Sequence, residues 1–392
     1  MALAGLESNT RARELAEALD AVREPGQLPG LFQGIQECVA AAAGVGDALE
    51  TGRLAAALHD RLLARAAALA RDGPGRPPDG WCLVVLGSQG RNEQLLATDQ
   101  DNLLVLPDTA NGEGEGGVAN GSARANGATV VGSGEGSGRA DGDDRCDGAG
   151  DHGAFAAFAG RLRDILRCAG LPPCPKGIMA AAPEWRKSLG GWRDAVDAAA
   201  ERPDAAGVLL VSLLADGRAV AGDARLAAAL AGHVRRRVAE APLLVRILAR
   251  EAIRFAPSTP FGGHLPLGLF GFGQAPCDSK RAAVYPLVLG IKALALEAGF
   301  AQTGTVPRIE ALSGRGLVGR ELADRLIRAF RAVQAARLDS QARAFRQGMA
   351  VDNRLDPAQL PDTAKDGLRR ALRAVGELCA ILEHHFGLAY LT

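Results

Sequence analysis

The sequence has 392 residues, which is enough for two or three domains with a large buried core. Its 45 basic and 45 acidic residues balance, so its overall charge does not favour a long nucleic-acid tract or an anionic membrane surface as a partner. The most apolar run, 205–215, is shorter than the roughly 20 residues of a membrane span. The first 24 residues carry charges throughout and do not have the pattern of a secretory signal. We therefore predict a cytoplasmic protein without a membrane segment.

Residues 1–75 are predicted to form an N-terminal helical segment. Apolar side chains recur there at helical spacing, as at Leu54, Leu58 and Leu62. A stretch rich in glycine and proline, 72–80, then separates this segment from the first predicted strand.

The stretch 81–106 carries the strongest functional pattern in the sequence. An apolar run, Cys82–Leu86, predicts a buried strand, and the glycines that follow it predict a tight corner. The next residues, 89–95, are predicted to begin a helix whose backbone amides face an anion such as phosphate. A second strand is predicted at Asn102–Leu106.

Asp99 and Asp101 stand two residues apart just before that second strand. Side chains two apart in an extended chain project from the same face, so the two carboxylates are expected to lie close together. A hard divalent cation, usually Mg²⁺, is the natural counter-charge for such a pair. Taken alone, an Asp-x-Asp sequence is more often part of a solvated turn. The functional interpretation is favoured because strand, corner, helix, paired acids and second strand occur in this order.

The residues of the corner and around the two acids also form a specific sequence motif. Gly-Ser-x-Gly-Arg-x-Glu-Gln is followed by Thr-Asp-Gln-Asp-Asn, and the residues concerned are Gly87, Ser88, Gly90, Arg91, Glu93, Gln94, Thr98, Asp99, Gln100, Asp101 and Asn102. This combination resembles the nucleotidyltransferase fold of the DNA polymerase beta superfamily. Within that superfamily it is most similar to the DUF294 nucleotidyltransferases, which are related to the PII uridylyltransferase and the glutamine synthetase adenylyltransferase.

The resemblance implies roles for individual residues. Asp99 and Asp101 are the expected catalytic carboxylates and ligands of Mg²⁺. The residues expected to bind a nucleoside triphosphate in this stretch are Gly87, Ser88, Gly90, Arg91 and Thr98.

The resemblance also implies a third carboxylate on a later strand that adjoins the first pair. The apolar run 208–215 is predicted to be a buried strand, and the family pattern assigns Asp216 at its end as the third catalytic and metal-binding acid, with Arg218 supporting it. Asp223 is the competing residue, but it precedes a predicted helix and has the pattern of an N-cap.

Two stretches flank the predicted site. Residues 107–153 are mostly small and polar and are predicted to be a disordered insertion in a loop next to the active site. The stretch 174–192 resembles a second DUF294 segment, Cys-Pro-x-Gly-x-Met-Ala followed by Pro-x-Trp-Arg. It departs from the family pattern at Lys176, where glycine is usual, and at Ala182, where asparagine is usual.

Residues 224–392 are predicted to form a helical bundle domain. The predicted helices are 225–240, 242–255, 285–300, 307–312, 319–347 and 361–386. This part resembles the substrate-binding domain of the DUF294 proteins. The resemblance implies that Lys280 and Arg308 contact the nucleotide, although salt bridges explain both residues equally well.

The predicted fold class is therefore α+β: a small mixed sheet of the polymerase-beta type in 76–223, between the N-terminal helical segment and the C-terminal all-helical domain. Two functions remain open. The first is an enzyme that transfers a nucleoside monophosphate from an NTP to an acceptor hydroxyl, for example on a protein, by a two-metal mechanism. The second is a catalytically inactive nucleotide-binding sensor that acts through its helical domain. The alanine- and leucine-rich helices are also compatible with a homodimer.

Overall fold

The computed structural model describes residues 9–108, 149–254 and 277–388. The α-helices are α1 Thr10–Ala21, α2 Leu28–Ala41, α3 Ala48–Arg71, α4 Gly87–Gly90, α5 Ala149–Ala169, α6 Leu189–Glu201, α7 Ala205–Leu214, α8 Ala224–Ala239, α9 Pro242–Arg254, α10 Tyr285–Glu297, α11 Thr305–Gly314, α12 Arg320–Arg346 and α13 Asp362–His385. The strands are β1 Cys82–Val85, β2 Asn102–Leu106, β3 Arg186–Ser188, β4 Arg218–Gly222, β5 Cys277–Asp278 and β6 Arg354–Leu355. The fold is α+β, as the sequence predicted.

Four strands form a small mixed sheet in the order β3-β2-β1-β4. Strand β1 is antiparallel to both β2 and β4, and β3 is parallel to β2. Val85, the last residue of β1, pairs with Asn102 on one side and with Arg218 on the other. The corner after β1 and the residues that precede β2 and β4 therefore meet at one end of the sheet.

Helices cover both faces of this sheet. Alternate side chains of β1 and β2, such as Leu83 and Leu104, are buried against α1, α2, α3 and α5. The other set, such as Val84 and Leu103, is buried against α6, α7 and α8 in a core that continues into the C-terminal helices. The N-terminal helices are thus one layer of the sheet domain. Apart from Asn102, both strands consist of apolar residues, because both of their faces are buried.

Two predicted elements near the site were wrong. The run 208–215 is not a strand but belongs to helix α7, which begins where the side chain of Asp204 accepts a backbone amide as N-cap. A short apolar run fits a buried strand or a buried helix equally well, so periodicity did not distinguish them. The helix predicted over 89–95 is the single turn α4, and Asn92 follows it with a φ of 58°, a left-handed conformation that does not continue a helix.

The C-terminal region is a bundle of long helices, and the six predicted helices there are present with shifted ends. The sequence missed the antiparallel pair β5 and β6, because two-residue strands have no detectable pattern. Across the described ranges, none of the helices combines the length and the apolar character needed to cross a membrane. Most of the insertion predicted at 107–153 lies outside the described residues, although α5 already begins at Ala149.

Candidate active site

The glycine corner after β1 brings the backbone against the second aspartate. Gly87 has a φ of 55°, and a Cβ atom built on it would lie 3.2 Å from Oδ2 of Asp101. The backbone amide of Leu86 donates to the carbonyl of Asp101 over 3.0 Å, which holds the two segments together. A side chain at position 87 would therefore be strained and would crowd the carboxylate. Glycine at this corner leaves room for a ligand next to Asp101.

Asp99, Asp101 and Cys174 each offer a ligand atom, and these atoms lie within 4.8 Å of one another. Burial raises the pKa of Asp99 to about 6, and the charge of Asp101 adds to the effect. Burial also raises the pKa of the Cys174 thiol to about 11, and the neighbouring Asp101 carboxylate contributes. Oδ1 of Asp101 is buried and has no hydrogen-bond partner among the described residues. Burial and mutual repulsion thus disfavour negative charge on this group.

The polar residues between and after the aspartates fix the neighbouring loop. The side-chain amide of Gln100 donates to the carbonyl of Leu171 over 2.8 Å. The side-chain oxygen Oδ1 of Asn102 accepts a hydrogen bond from the backbone amide of Ala180 over 3.0 Å. The backbone amide of Asn102 donates to the carbonyl of Ile178 over 3.1 Å. Both side chains are nearly fully buried. They anchor the loop that carries Cys174 beside the paired aspartates.

Asp216 lies in the interior, where three basic side chains surround it. Its Oδ2 accepts hydrogen bonds from Lys292 and Arg91, both over 2.6 Å, and its Oδ1 accepts one from Arg308 over 2.9 Å. The residue is fully buried. Burial alone would raise the pKa of Asp216, but the three cations outweigh it and lower the pKa to about 2. Asp216 is therefore ionised, and both of its oxygens are engaged within the protein.

This arrangement does not support the metal-binding role predicted for Asp216. The metal-capable group in the described part of the chain consists of Asp99, Asp101 and Cys174 and does not include it. Strand β2 lies between β1 and β3, and the residues of β3 are arginine, lysine and serine. Helix α7 ends at Leu214, so Asp216 stands between this helix and β4 and not at the end of a strand; its role as a third metal-binding acid stays a prediction.

The other predicted binding residues divide into two groups. Arg308 is 1% exposed and donates to Asp216, Ala215 and Gln302, so its guanidinium is engaged within the protein. Thr98, by contrast, is only half-buried, and its Oγ1 has no hydrogen-bond partner in the described part of the chain. Lys280 lies near the aspartates, and its charge lowers the pKa of Asp99 against the effect of burial.

Arg91 and Gly90 connect the corner to Asp216. Arg91 is largely buried and pairs with Glu93 over 2.7 Å as well as with Asp216. A Cβ atom on Gly90 would lie 2.0 Å from the carbonyl oxygen of Asp216, so only glycine fits there. Arg218, expected to support Asp216, instead pairs with Asp60 over 2.5 Å and donates to the carbonyl of Gln89 over 3.1 Å. Arg218 thus connects helix α3 to the glycine corner.

Asp223, the alternative third acid, is the N-cap of α8. Its side chain accepts the backbone amide of Arg225 over 3.0 Å, as the sequence predicted. This residue has no place in the candidate site.

Sequence reasoning missed two basic residues. Lys292 stands inside the apolar run Leu289–Leu296, and a lone charge in such a run was the available signal that it has a buried partner. Arg337 lies in the long helix α12 and is 6% exposed; burial lowers its pKa to about 10, and its Nε has no partner among the described residues. No pattern in the sequence distinguished it from the other arginines of that helix. Its charge acts on Lys280, which places both near the paired aspartates.

A glycine corner at the end of one strand, paired carboxylates at the start of its antiparallel neighbour and a helical region facing them together define the nucleotidyltransferase class of fold. Two family models match the sequence: "Putative nucleotidyltransferase DUF294" at 33–128 and 143–206, and "Putative nucleotidyltransferase substrate binding domain" at 242–386. Together they cover more than three quarters of the chain. The chain belongs to the DUF294 family. The comparison with curated proteins found no match.

Proposed function

We propose that this protein transfers a nucleoside monophosphate from a nucleoside triphosphate to a hydroxyl group of an acceptor. The observation that carries this proposal is the position of Asp99 and Asp101 at the glycine corner, with Lys280 from the C-terminal region acting on their charge. Phosphoryl-transfer chemistry requires acidic side chains that hold a metal ion and nearby cations that attract phosphate.

The residues present fit a divalent metal ion. Asp99 and Asp101 each offer a carboxylate oxygen, and these ligand atoms lie within 4.8 Å of each other. Asp99 and Asp101 would hold the ion, and Mg²⁺ prefers such carboxylate oxygens. When bound, it would supply neutralisation of phosphate charge and polarisation of the phosphoryl group.

The chain's own residues would position the nucleotide. Gly87 and Ser88 let a phosphate group approach the backbone next to Asp101, since no side chain projects from position 87. Lys280 and Arg337 would supply positive charge opposite the acids. Most of the rate acceleration would then come from orientation and charge stabilisation, without a covalent intermediate on the protein.

Asp216 would act in this mechanism as a positioning residue. Its oxygens accept from three cations, so it is not available to take a proton from the acceptor hydroxyl. It holds Arg91 beside the corner instead, together with Glu93. Arg91 would set the electrostatic potential at the phosphates, whereas Arg308 would hold Asp216 from the other side.

A second candidate function is a nucleotide-binding sensor that does not catalyse transfer. The pairing of Asp216 with three basic side chains favours this alternative, because a two-metal transferase uses a third carboxylate at the metals. Such a sensor would keep the glycine corner and Lys280 and would signal through the C-terminal helices.

Release of pyrophosphate tests the main proposal. The full chain is incubated with Mg²⁺, each of the four NTPs and a cell extract as the source of acceptor, and the double variant Asp99→Asn/Asp101→Asn is measured in parallel. Release that the double variant lacks, with labelled nucleotide recovered on a macromolecule, supports transfer and identifies the base. Asp223→Asn is the matched control, since this aspartate caps α8 outside the site and its variant should keep the wild-type rate.

The same measurement separates the two candidate functions. If all four NTPs give no pyrophosphate while calorimetry detects binding of one of them without Mg²⁺, transfer is contradicted and the sensor is supported. Transfer of label to protein rather than to small molecules would identify the acceptor as a protein.

A further inference from the structure

A small cavity lies beside the paired aspartates and is also lined by Gln89 of the glycine corner. It has a volume of about 10 Å³, which is the room that a single water-sized species needs. Its wall is formed by residues from three parts of the chain, including His59 of α3, Gln89 of α4, Gln94 and the two aspartates. The cavity therefore lies where the N-terminal helices meet the catalytic strands.

Four of these lining residues have a buried side-chain atom without a hydrogen-bond partner among the described residues. The atoms are Nε2 of His59, Oε1 of Gln89, Oε1 of Gln94 and Oδ1 of Asp101. The first three residues are 1%, 5% and 4% exposed, respectively. A buried polar atom that stays unpaired costs about 1–3 kcal/mol, so four of them around one cavity indicate that something occupies it.

All four atoms are hydrogen-bond acceptors. Nδ1 of His59 lies 2.8 Å from the carbonyl of Ala55 and must donate to it, which leaves Nε2 as the unprotonated nitrogen. Burial lowers the pKa of His59, so the ring stays neutral. The side-chain amide nitrogen of Gln89 donates to Ala56 and Asp60, at 3.0 and 2.6 Å, and its Oε1 has no partner among the described residues.

The number and charge of these atoms select the occupant. A water molecule has two hydrogens and would leave two of the four acceptors unsatisfied. Asp99 also lines the cavity, but Asp101 contributes the one charged group among these four unpaired acceptors, and the set therefore matches a single positive charge. Ammonium has four N–H donors, one charge and the size of water, and K⁺ has the same charge and a similar size.

We propose that this cavity is a binding site for one monovalent cation, of the ammonium or potassium type, held by His59, Gln89, Gln94 and Asp101. Asp101 then has two roles, with Oδ2 near the glycine corner and Oδ1 toward the interior cation. The cation would join helix α3 to the start of β2 and would orient the Asp101 carboxylate. This inference does not depend on whether the protein transfers a nucleotide.

Thermal unfolding of the metal-free full chain tests the site without any activity assay. The midpoint is measured at constant ionic strength in choline chloride, sodium chloride, potassium chloride and ammonium chloride, with EDTA present. We expect ammonium or potassium to raise the midpoint by roughly 2–4 °C over choline, with saturation as the concentration increases. The stronger of the two salts identifies the cation. Equal midpoints in all four salts would overturn the proposal and assign the cavity to water.

Two variants locate the effect. Gln94→Leu removes one acceptor at nearly constant volume and should abolish the difference between the salts. Gln36→Leu, at a glutamine that is 7% exposed and does not line the cavity, should keep it. If Gln94→Leu unfolds, a crystal of the wild-type chain in thallium acetate decides the matter. An anomalous peak bounded by His59 and Gln94 supports the site, and its absence there contradicts it.

Discussion

At the scale of single residues, the paired aspartates show how a functional site costs stability. Asp99 is held partly buried beside a second carboxylate, and its pKa of about 6 is above its usual range because of that burial and that neighbour. The folded chain therefore binds a proton on Asp99 more tightly than the unfolded chain does. In the absence of metal, this contribution to stability falls as the pH rises from about 4 to about 6.

Asp99→Asn should stabilise the metal-free protein at pH 7 while removing its response to Mg²⁺. The substitution eliminates a partly buried charge, but it also removes a ligand of the proposed metal ion. Urea unfolding at pH 4.5, 6 and 7.5, with and without Mg²⁺, measures both effects. A variant that keeps the wild-type pH slope, or one that Mg²⁺ still stabilises equally, would contradict this assignment of Asp99.

Gly90→Ala should destabilise the protein by about 3 kcal/mol or more. The added Cβ would lie 2.0 Å from the carbonyl oxygen of Asp216, so the corner would have to move away from β4. The free energy of unfolding in urea measures the loss. Gly160→Ala is the control, because no heavy atom lies within 4 Å of its added Cβ and it stands inside α5. Gly160→Ala should raise the free energy of unfolding by about 0.5–1 kcal/mol. Equal losses of stability in both variants would contradict the steric role assigned to Gly90.

At the scale of elements, the segment that leads into strand β2 does more than carry the aspartates. Gln100 and Asn102 alternate with Asp99 and Asp101 along the chain and hold the loop that carries Cys174. This explains why the family pattern includes amide residues between and after the two acids. The strand and the loop thus form one unit, and the position of Cys174 depends on side chains far from it in sequence.

Asn102→Ala should release that loop. The amide of Ala180 would lose its buried acceptor, at a cost of about 1–3 kcal/mol. Hydrogen exchange should show faster exchange at Ala180 and its neighbours than in the wild type. Asn92→Gly is the control, since Asn92 already has a left-handed φ that glycine adopts without strain. Unchanged protection at Ala180 in Asn102→Ala would show that the loop is held by other contacts.

At the scale of the whole molecule, Asp216 joins the sheet domain to the C-terminal helices. Lys292 comes from α10 and Arg308 from α11, whereas Arg91 belongs to the glycine corner. Lys292 also donates to the carbonyl of Ser212 over 2.8 Å, which extends the contact to α7. The core around the sheet continues into the same helices. The buried ion cluster therefore sets the position of the C-terminal region against the corner.

Asp216→Asn should cost about 3–5 kcal/mol, because three buried cations would lose their common counter-charge. Chemical denaturation at pH 7 measures this loss. Asp223→Asn gives the comparison, since asparagine is as good an N-cap as aspartate and its stability should stay within about 0.5 kcal/mol of the wild type. A small effect of Asp216→Asn would mean that the cluster does not hold the two regions together.

Local patterns in the sequence determined much of this protein by themselves. The apolar run that became β1, the glycines of the corner and the paired acids before β2 are adjacent in the chain, and their spacing sets which side chains share a face. The long C-terminal helices and the cap at Asp223 were predicted for the same reason. The family also followed from these local motifs, without a view of the fold.

Only the tertiary structure decided which distant side chains meet. Asp216, Lys292 and Arg308 form one cluster although they come from separate elements, and Cys174 reaches the aspartates through a loop. The run 208–215 illustrates the physical reason: an apolar stretch buried on all sides satisfies a helix or a strand, and the choice depends on what packs around it. Charges behave likewise, since the partner of a buried carboxylate is set by three-dimensional packing and not by neighbours in the sequence.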